Sequence, residues 1–195
     1  MTTEGLLALL TGYLLGSIPF GLILTRLAGK GDVRKVGSGN IGATNVLRAG
    51  GKWLAAATLV LDALKATVAV LIARRLWPGG EAYAAAGALV GHLYPVWLKF
   101  RGGKGVATYL GLLVPIFWPA ALVYAAVWLV ALVVIRISSV SGMLAAISAP
   151  IAAAALGQKV LFPMLLGFTL LVLWRHHENL ARLRAGTEPR IGRKT

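Results

Sequence analysis

The stretch WLAAATLVLDALKATVAVLIARRL, Trp53–Leu76, decides the fold. A helix of roughly twenty apolar residues crosses a hydrocarbon core about 30 Å thick. This run has that length, with Asp62 and Lys65 inside it and Arg74 and Arg75 near its end. Asp62 and Lys65 are spaced i, i+3, so on a helix they share a face and can pair, which offsets part of the cost of charge in lipid. Similar runs recur along all 195 residues. Hydrophobic residues make up 58% and charged residues 13%, with mean hydropathy +0.78. Soluble domains carry roughly a quarter charged residues. The chain therefore reads as one all-α, polytopic transmembrane helix bundle over residues 1–195, without a separate soluble domain.

About seven spans are expected from apolar runs of this kind. They cover Leu6–Ala28, Trp53–Leu76, Tyr83–Leu98, a short Val106–Pro115, Trp118–Ile135, Gly142–Leu156 and Val160–Trp174. The N-terminus lacks a basic n-region, so the first run is expected to be a retained span. On this layout sixteen Lys and Arg fall beside the connections of one side and three (Arg74, Arg75, Lys159) on the other. The positive-inside rule then places the N-terminus outside and the C-terminus in the cytoplasm. The same bias explains the net charge of +14 without nucleic acid, which is not expected as a partner; anionic lipid is. The chain has no Cys, which excludes disulfides, thiolate metal sites and a Cys nucleophile.

Polar chemistry gathers at the junctions on the basic side. The first is Val36-Gly37-Ser38-Gly39-Asn40-Ile41-Gly42-Ala43-Thr44-Asn45, framed by Arg34, Lys35, Arg48 and Lys52. Its glycines match G-x-G-x-x-G, but that pattern signifies a dinucleotide site only between a strand and a helix, and here it follows a membrane span. A flexible loop is the plain reading. A basic frame with open backbone donors suggests an anion site, most simply for phosphate. Asn45 and Arg48 lie i, i+3 if a helix starts near Ala43, and Ser38 is a donor or a nucleophile with no base adjacent in sequence.

The second junction, Arg101-Gly102-Gly103-Lys104-Gly105, precedes a helix start, where backbone N–H groups and the helix dipole favour phosphate and Lys104 adds a point charge. It lacks the spacing of a Walker A loop. His92 lies upstream within a span, as a structural hydrogen-bond partner or a base. The third is Arg175-His176-His177-Glu178-Asn179, with His176 and Asn179 on one helical face; it reads as an interfacial cap or a substrate contact. Ser139 and Ser141 open a span, as caps or substrate contacts. Neither paired carboxylates nor a His-x4-Asp pattern is present, so a site here works by positioning and by stabilising anions. No metal or cofactor is expected. A transporter or flippase for a phosphorylated solute is the rival class, which would use the Asp62–Lys65 pair along a path through the membrane.

Five ordered motifs give a resemblance. They are Gly-Ser-Ile-Pro-Phe-Gly from Gly16, Gly-Ser-Gly-Asn-Ile-Gly-Ala-Thr-Asn-Val-x-Arg from Gly37, Leu-Asp-x-Leu-Lys from Leu61, Gly-His-x-Tyr-Pro-Val from Gly91 with Gly-Gly-Lys-Gly-Val-Ala-Thr from Gly102, and Arg-His-x-Glu-Asn-x-x-Arg-Leu from Arg175. Together, from about Gly12 to Ile191, they resemble the bacterial acyl-phosphate:glycerol-3-phosphate acyltransferases.

The resemblance implies acyl transfer from acyl phosphate to the 1-position of sn-glycerol 3-phosphate, giving lysophosphatidate and phosphate for phospholipid synthesis. It implies a multi-pass enzyme of the bacterial inner membrane with its site facing the cytoplasm and no obligate protein partner. Carried over residue by residue, it makes Ser38, Arg48, Lys104, His176 and Asn179 catalytic. It assigns Gly102, Gly103, Ser139, Ser141 and Glu178 to substrate binding, and the reading of the residues adds Gly37, Gly39, Asn40, Thr44, Asn45 and His92. Gly142 stands where that family often has Ser, so its serine pair matches less cleanly.

Overall fold

A computed structural model describes residues 1–192. Arg193, Lys194 and Thr195, counted above in the basic tail, lie outside the described residues. Helices and short 3-10 turns make up the regular structure, and no strand occurs among the described residues. The chain divides into two compact units, Met1–Ile116 and Phe117–Thr195.

The first unit begins with α1 (Thr3–Gly16) and α2 (Phe20–Leu27). The break between them falls at Ser17-Ile18-Pro19, as the proline in this run leads one to expect. A short α3 (Ala43–Arg48) follows the first glycine loop, then α4 (Lys52–Leu76) and α5 (Glu81–Leu93). α1 and α5 pack through glycines on both sides. A Cβ on Gly12 or Gly16 would lie 2.2 or 2.1 Å from a carbonyl of α5, and one on Gly87 or Gly91 would lie 2.1 or 2.3 Å from a carbonyl of α1. Small residues spaced i, i+4 on both faces let the backbones touch, which is how helices associate where lipid removes the hydrophobic drive.

α6 (Val106–Ile135) joins two segments expected as separate spans and passes from the first unit into the second. Its backbone leaves helical geometry at Phe117 (φ −159°, ψ 86°), between Pro115 and Pro119. Each proline lacks an N–H and so deprives the carbonyl four residues earlier of its helical partner. Neighbouring helices replace the missing donors. Thr67 Oγ1 donates to Gly111 O at 2.6 Å, and an Arg74 guanidinium N–H donates to Pro115 O at 2.5 Å.

The second unit holds α7 (Ser138–Ala155), α8 (Phe162–Arg175) and α9 (His177–Arg184). Pro150 orphans Ala146 O in α7, and Thr169 Oγ1 of α8 supplies the donor at 2.7 Å. The α8 segment and α9 meet at His176 with a bend of 56°. Beyond α9 the chain returns to Arg136, whose carbonyl accepts from Ile191 N at 2.8 Å.

Among the described residues, four helices are long and apolar enough to cross a membrane, or five if the bent pair is one span. Fewer helices than the seven expected runs pass on length, for local reasons. Tyr94-Pro95 ends α5 at Leu93, five residues short of the expected Leu98, because a residue before proline avoids helical geometry. The two middle runs join into α6, and α8 has only 14 residues.

Candidate active site

The first glycine loop is organised from inside by Asn45. This residue, 1% exposed, accepts from Ser38 N through Oδ1 at 3.0 Å. Its amide nitrogen lies 2.8, 2.9 and 2.8 Å from Val33 O, Val36 O and Asn40 O, which share its two N–H groups. Gly37 must be glycine on two counts: its φ is +55°, and a Cβ would lie 2.5 Å from Asn45 Oδ1. Asn40 Oδ1 accepts from Gly42 N at 2.9 Å, closing a turn just before α3. Beneath the loop, Ile41 and Val46 pack with Leu22, Val33 and Ala55, and Leu98 joins this cluster from the approach to the second glycine loop.

Ser38 and Arg48 are left exposed on this frame, with the Arg48 stem against Gly37. Thr44 is half-buried in the first turn of α3, and Gly39 (φ +68°) lies beside Arg34 O. Asn45 and Arg48 thus take different parts: the first fastens the loop, the second stands at its rim. Nearby, Asp32 caps Arg34 N and pairs with Arg34 at 2.6 Å and Arg26 at 3.2 Å. The Arg34 hydrogen bonds hold its carboxyl far below the usual carboxylate range and raise the Arg34 guanidinium in turn.

The second loop differs from its expected use. Gly102 N donates to Leu93 O at 3.1 Å and Gly103 N to His92 O at 3.0 Å. These donors close the C-terminal carbonyls of α5, which Pro95 prevents from continuing, so they are engaged within the protein. No side chain fits at either place: a Cβ on Gly102 would lie 2.1 Å from His92 O, and one on Gly103 2.1 Å from His92 Nε2. Lys104 follows, half-buried, with Gly105 between it and α6, whose N-terminal dipole adds to its positive charge. His92 is 4% exposed beneath Gly103, and its Nδ1 lies 2.9 Å from Lys65 Nζ.

In the second unit His176 is 2% exposed at the α8–α9 corner. Its Nδ1 lies 2.7 Å from Val172 O, and a carbonyl only accepts, so Nδ1 carries the proton and neutral His176 has its lone pair on Nε2. His177 is exposed, turns its Nδ1 to Trp174 O and tilts against the Trp174 ring. Glu178 is exposed in the first turn of α9. Ser141 is fully buried and donates to Ile137 O of its own helix turn at 3.1 Å.

Ser139 and Asn179 converge on a residue that sequence reasoning missed, Glu188. Ser139 Oγ and Asn179 Nδ2 donate to its Oε1 at 2.6 and 2.5 Å, and Arg182 Nε meets Oε2 at 2.7 Å. Burial pushes the Glu188 carboxyl up, but the three donors outweigh it and the group is held below its ordinary value. A single acidic residue among Arg182, Arg184 and Arg190 was the available signal.

A family profile described as "Glycerol-3-phosphate acyltransferase" matches residues 6–186, running through both units. The glycerol-3-phosphate acyltransferase of Brucella anthropi is 57% identical over 187 residues, covering 96% of this chain and 93% of that protein. That of Mesorhizobium japonicum is 55% identical over 194 residues, covering the whole of both chains. A crystal structure of PlsY (YgiH), an integral membrane glycerol 3-phosphate acyltransferase in its glycerol 3-phosphate form, matches with a TM-score of 0.90 at 38% identity, covering 96% of each chain. Its lysophosphatidic acid form matches with a TM-score of 0.88, also at 38% identity, covering 96% of this chain and 95% of that one. With apolar helices of spanning length and polar junctions built around the matching motifs, the chain is an integral membrane acyltransferase and belongs to the glycerol-3-phosphate acyltransferase family.

Proposed function

We propose that the whole chain acts as one acyltransferase domain that moves a fatty acyl group from acyl phosphate to the 1-hydroxyl of sn-glycerol 3-phosphate. The glycerol oxygen attacks the acyl carbonyl carbon, the bond from that carbon to the phosphate oxygen breaks, and the departing phosphate takes the hydroxyl proton. The products are 1-acyl lysophosphatidate and inorganic phosphate. An acyl phosphate is already activated, so neither a thiol nor an acyl-enzyme is needed, in keeping with a chain that has no Cys.

The observation that carries this reading is the frame around Asn45, which leaves Ser38 and Arg48 at the surface of a basic loop. Arg48 and Lys104 offset phosphate charge, and Ser38 and Asn179 orient the substrates. His176 adds an acceptor at Nε2 in its neutral form. The other assigned residues, Gly37, Gly39, Asn40, Thr44, Asn45, Gly102, Gly103, Ser139, Ser141 and Glu178, shape or line these surfaces, and His92 stands buried behind Gly103. The transporter reading is disfavoured because Asp62 and Lys65 are buried and hydrogen-bonded to each other, and because, apart from these two and His92, the polar groups of the sequence gather at the junctions of one side.

The enzyme is assigned seven crossings of a bacterial inner membrane, N-terminus outside, with its chemistry at the cytoplasmic face, on the strength of the Lys and Arg distribution. Purified protein incubated with acyl phosphate and labelled glycerol 3-phosphate should form 1-acyl lysophosphatidate without acyl-CoA. Product only from acyl-CoA would reassign the donor, and no product from either would reject the reading. Arg48→Ala and Lys104→Ala should each lower kcat/KM by about 100-fold.

A further inference from the structure

The motifs Leu-Asp-x-Leu-Lys and Gly-His-x-Tyr-Pro-Val meet in a buried array that the reaction above does not use. Lys65 Nζ has three oxygen or nitrogen neighbours within hydrogen-bond distance: Asp62 Oδ1 at 2.7 Å, Ile18 O at 2.8 Å and His92 Nδ1 at 2.9 Å. The Phe20 ring lies over the same nitrogen, 5.8 Å away at its centroid. Side-chain exposure is 2% for Lys65 and 4% for both Asp62 and His92.

An ammonium has three protons and no lone pair. A carboxylate and a carbonyl accept two of them. The third goes to His92 Nδ1, which must therefore offer its lone pair, and a neutral imidazole so held carries its proton on Nε2. Nε2 is the ring atom against Gly103, occupying the place where a Cβ would stand. The same residue's carbonyl accepts Gly103 N. Ring and main chain of His92 thus both grip the residue that precedes Lys104.

We propose that His92 is a positioning residue, with its tautomer locked by Asp62 and Lys65 and its Nε2–H edge setting the place of Gly103 and hence of Lys104. The proposal rests on Lys104 being a phosphate ligand. It also gives the intramembrane pair a role, which is to fix the His92 imidazole.

The lock is read on the full chain in lipid nanodiscs with 15N-labelled histidine, the His92 signals being assigned by their loss in His92→Gln. Between pH 6 and 8, wild type should show an unprotonated Nδ1 and a protonated Nε2, and Lys65→Met should lose that single tautomer. A protonated Nδ1 in wild type, or an unchanged spectrum in Lys65→Met, overturns the lock. The positioning role is read in KM. His92→Gln keeps a distal N–H and should hold both KM values within about threefold, whereas His92→Leu should raise KM for one phosphate substrate about tenfold with kcat changed less. Unchanged KM in His92→Leu, or an equal loss in both variants, overturns it. If wild type transfers no acyl group, the function reading fails and the nitrogen spectra still decide the lock.

Discussion

At the scale of single residues, the decisive side chains are those that hold a backbone in place. Asn45 serves one main-chain donor and three carbonyls from inside the first glycine loop. Asn45→Ala removes the side-chain partner of Ser38 N and Asn40 O and leaves Val33 O and Val36 O with only their backbone donors, Val36 N and Gly39 N; it should cost about 2–3 kcal/mol, read as a lowered thermal midpoint in detergent, and reduce activity through the loop. Glu188 does similar work for Ser139 and Asn179. Its folded-state pKa lies below the ordinary 4.5, so its contribution is complete above that value. As pH falls towards the folded value, the unfolded chain takes up the proton first and the contribution is lost. Glu188→Gln should therefore be less stable than wild type at pH 7, and the gap should narrow as pH drops below about 4.5. A gap independent of pH would remove the charge from this role. Glu188 was not legible as a partner because its importance depends on the tail returning to Arg136, which sequence spacing does not show.

At the scale of elements, the prolines explain both where helices bend and which polar residues sit in spans. Pro115, Pro119 and Pro150 each strand a carbonyl, and Thr67, Arg74 and Thr169 each supply the missing donor from another helix. In lipid no water can substitute, so the pairing matters more than the intrinsic helix preference of threonine. Thr169→Val keeps the shape and removes the hydroxyl. It should destabilise the protein by about 1 kcal/mol, measured by thermal or denaturant unfolding, whereas Thr169→Ser should hold most of it. The break at Phe117 could be read from Pro115 and Pro119, whereas the third span was expected to run through Pro95 to Leu98. The partners of the stranded carbonyls could not be read, since nothing in the spacing of Thr67 points to Gly111. The glycine loop at 102–104 gave the reverse case: its residue types were legible as a loop, but its N–H groups close α5.

At the scale of the whole molecule, the proposed number and direction of membrane crossings rest on apolar length and on charge. Because the chain has no Cys, a single cysteine placed at Thr3, Gln158 or Thr187 reports sidedness without background. A membrane-impermeant thiol reagent added to intact spheroplasts should label Thr3→Cys and Gln158→Cys, and should label Thr187→Cys only after permeabilisation. Labelling of Thr187→Cys in intact spheroplasts would reverse the C-terminus.

The amino-acid sequence by itself determined the membrane class, the polar junctions and the i, i+3 pairing of Asp62 with Lys65, which the structure closes at 2.7 Å. These follow from length, composition and helical period, all local properties of the chain. Tertiary structure decided what each polar group is used for. It turned Asn45 inward and left Arg48 outside, engaged the glycine donors on α5 and brought Glu188 to Ser139 and Asn179. The reason is physical: a buried donor or acceptor must find a partner, and that partner comes from whichever element packs beside it, at any distance along the chain.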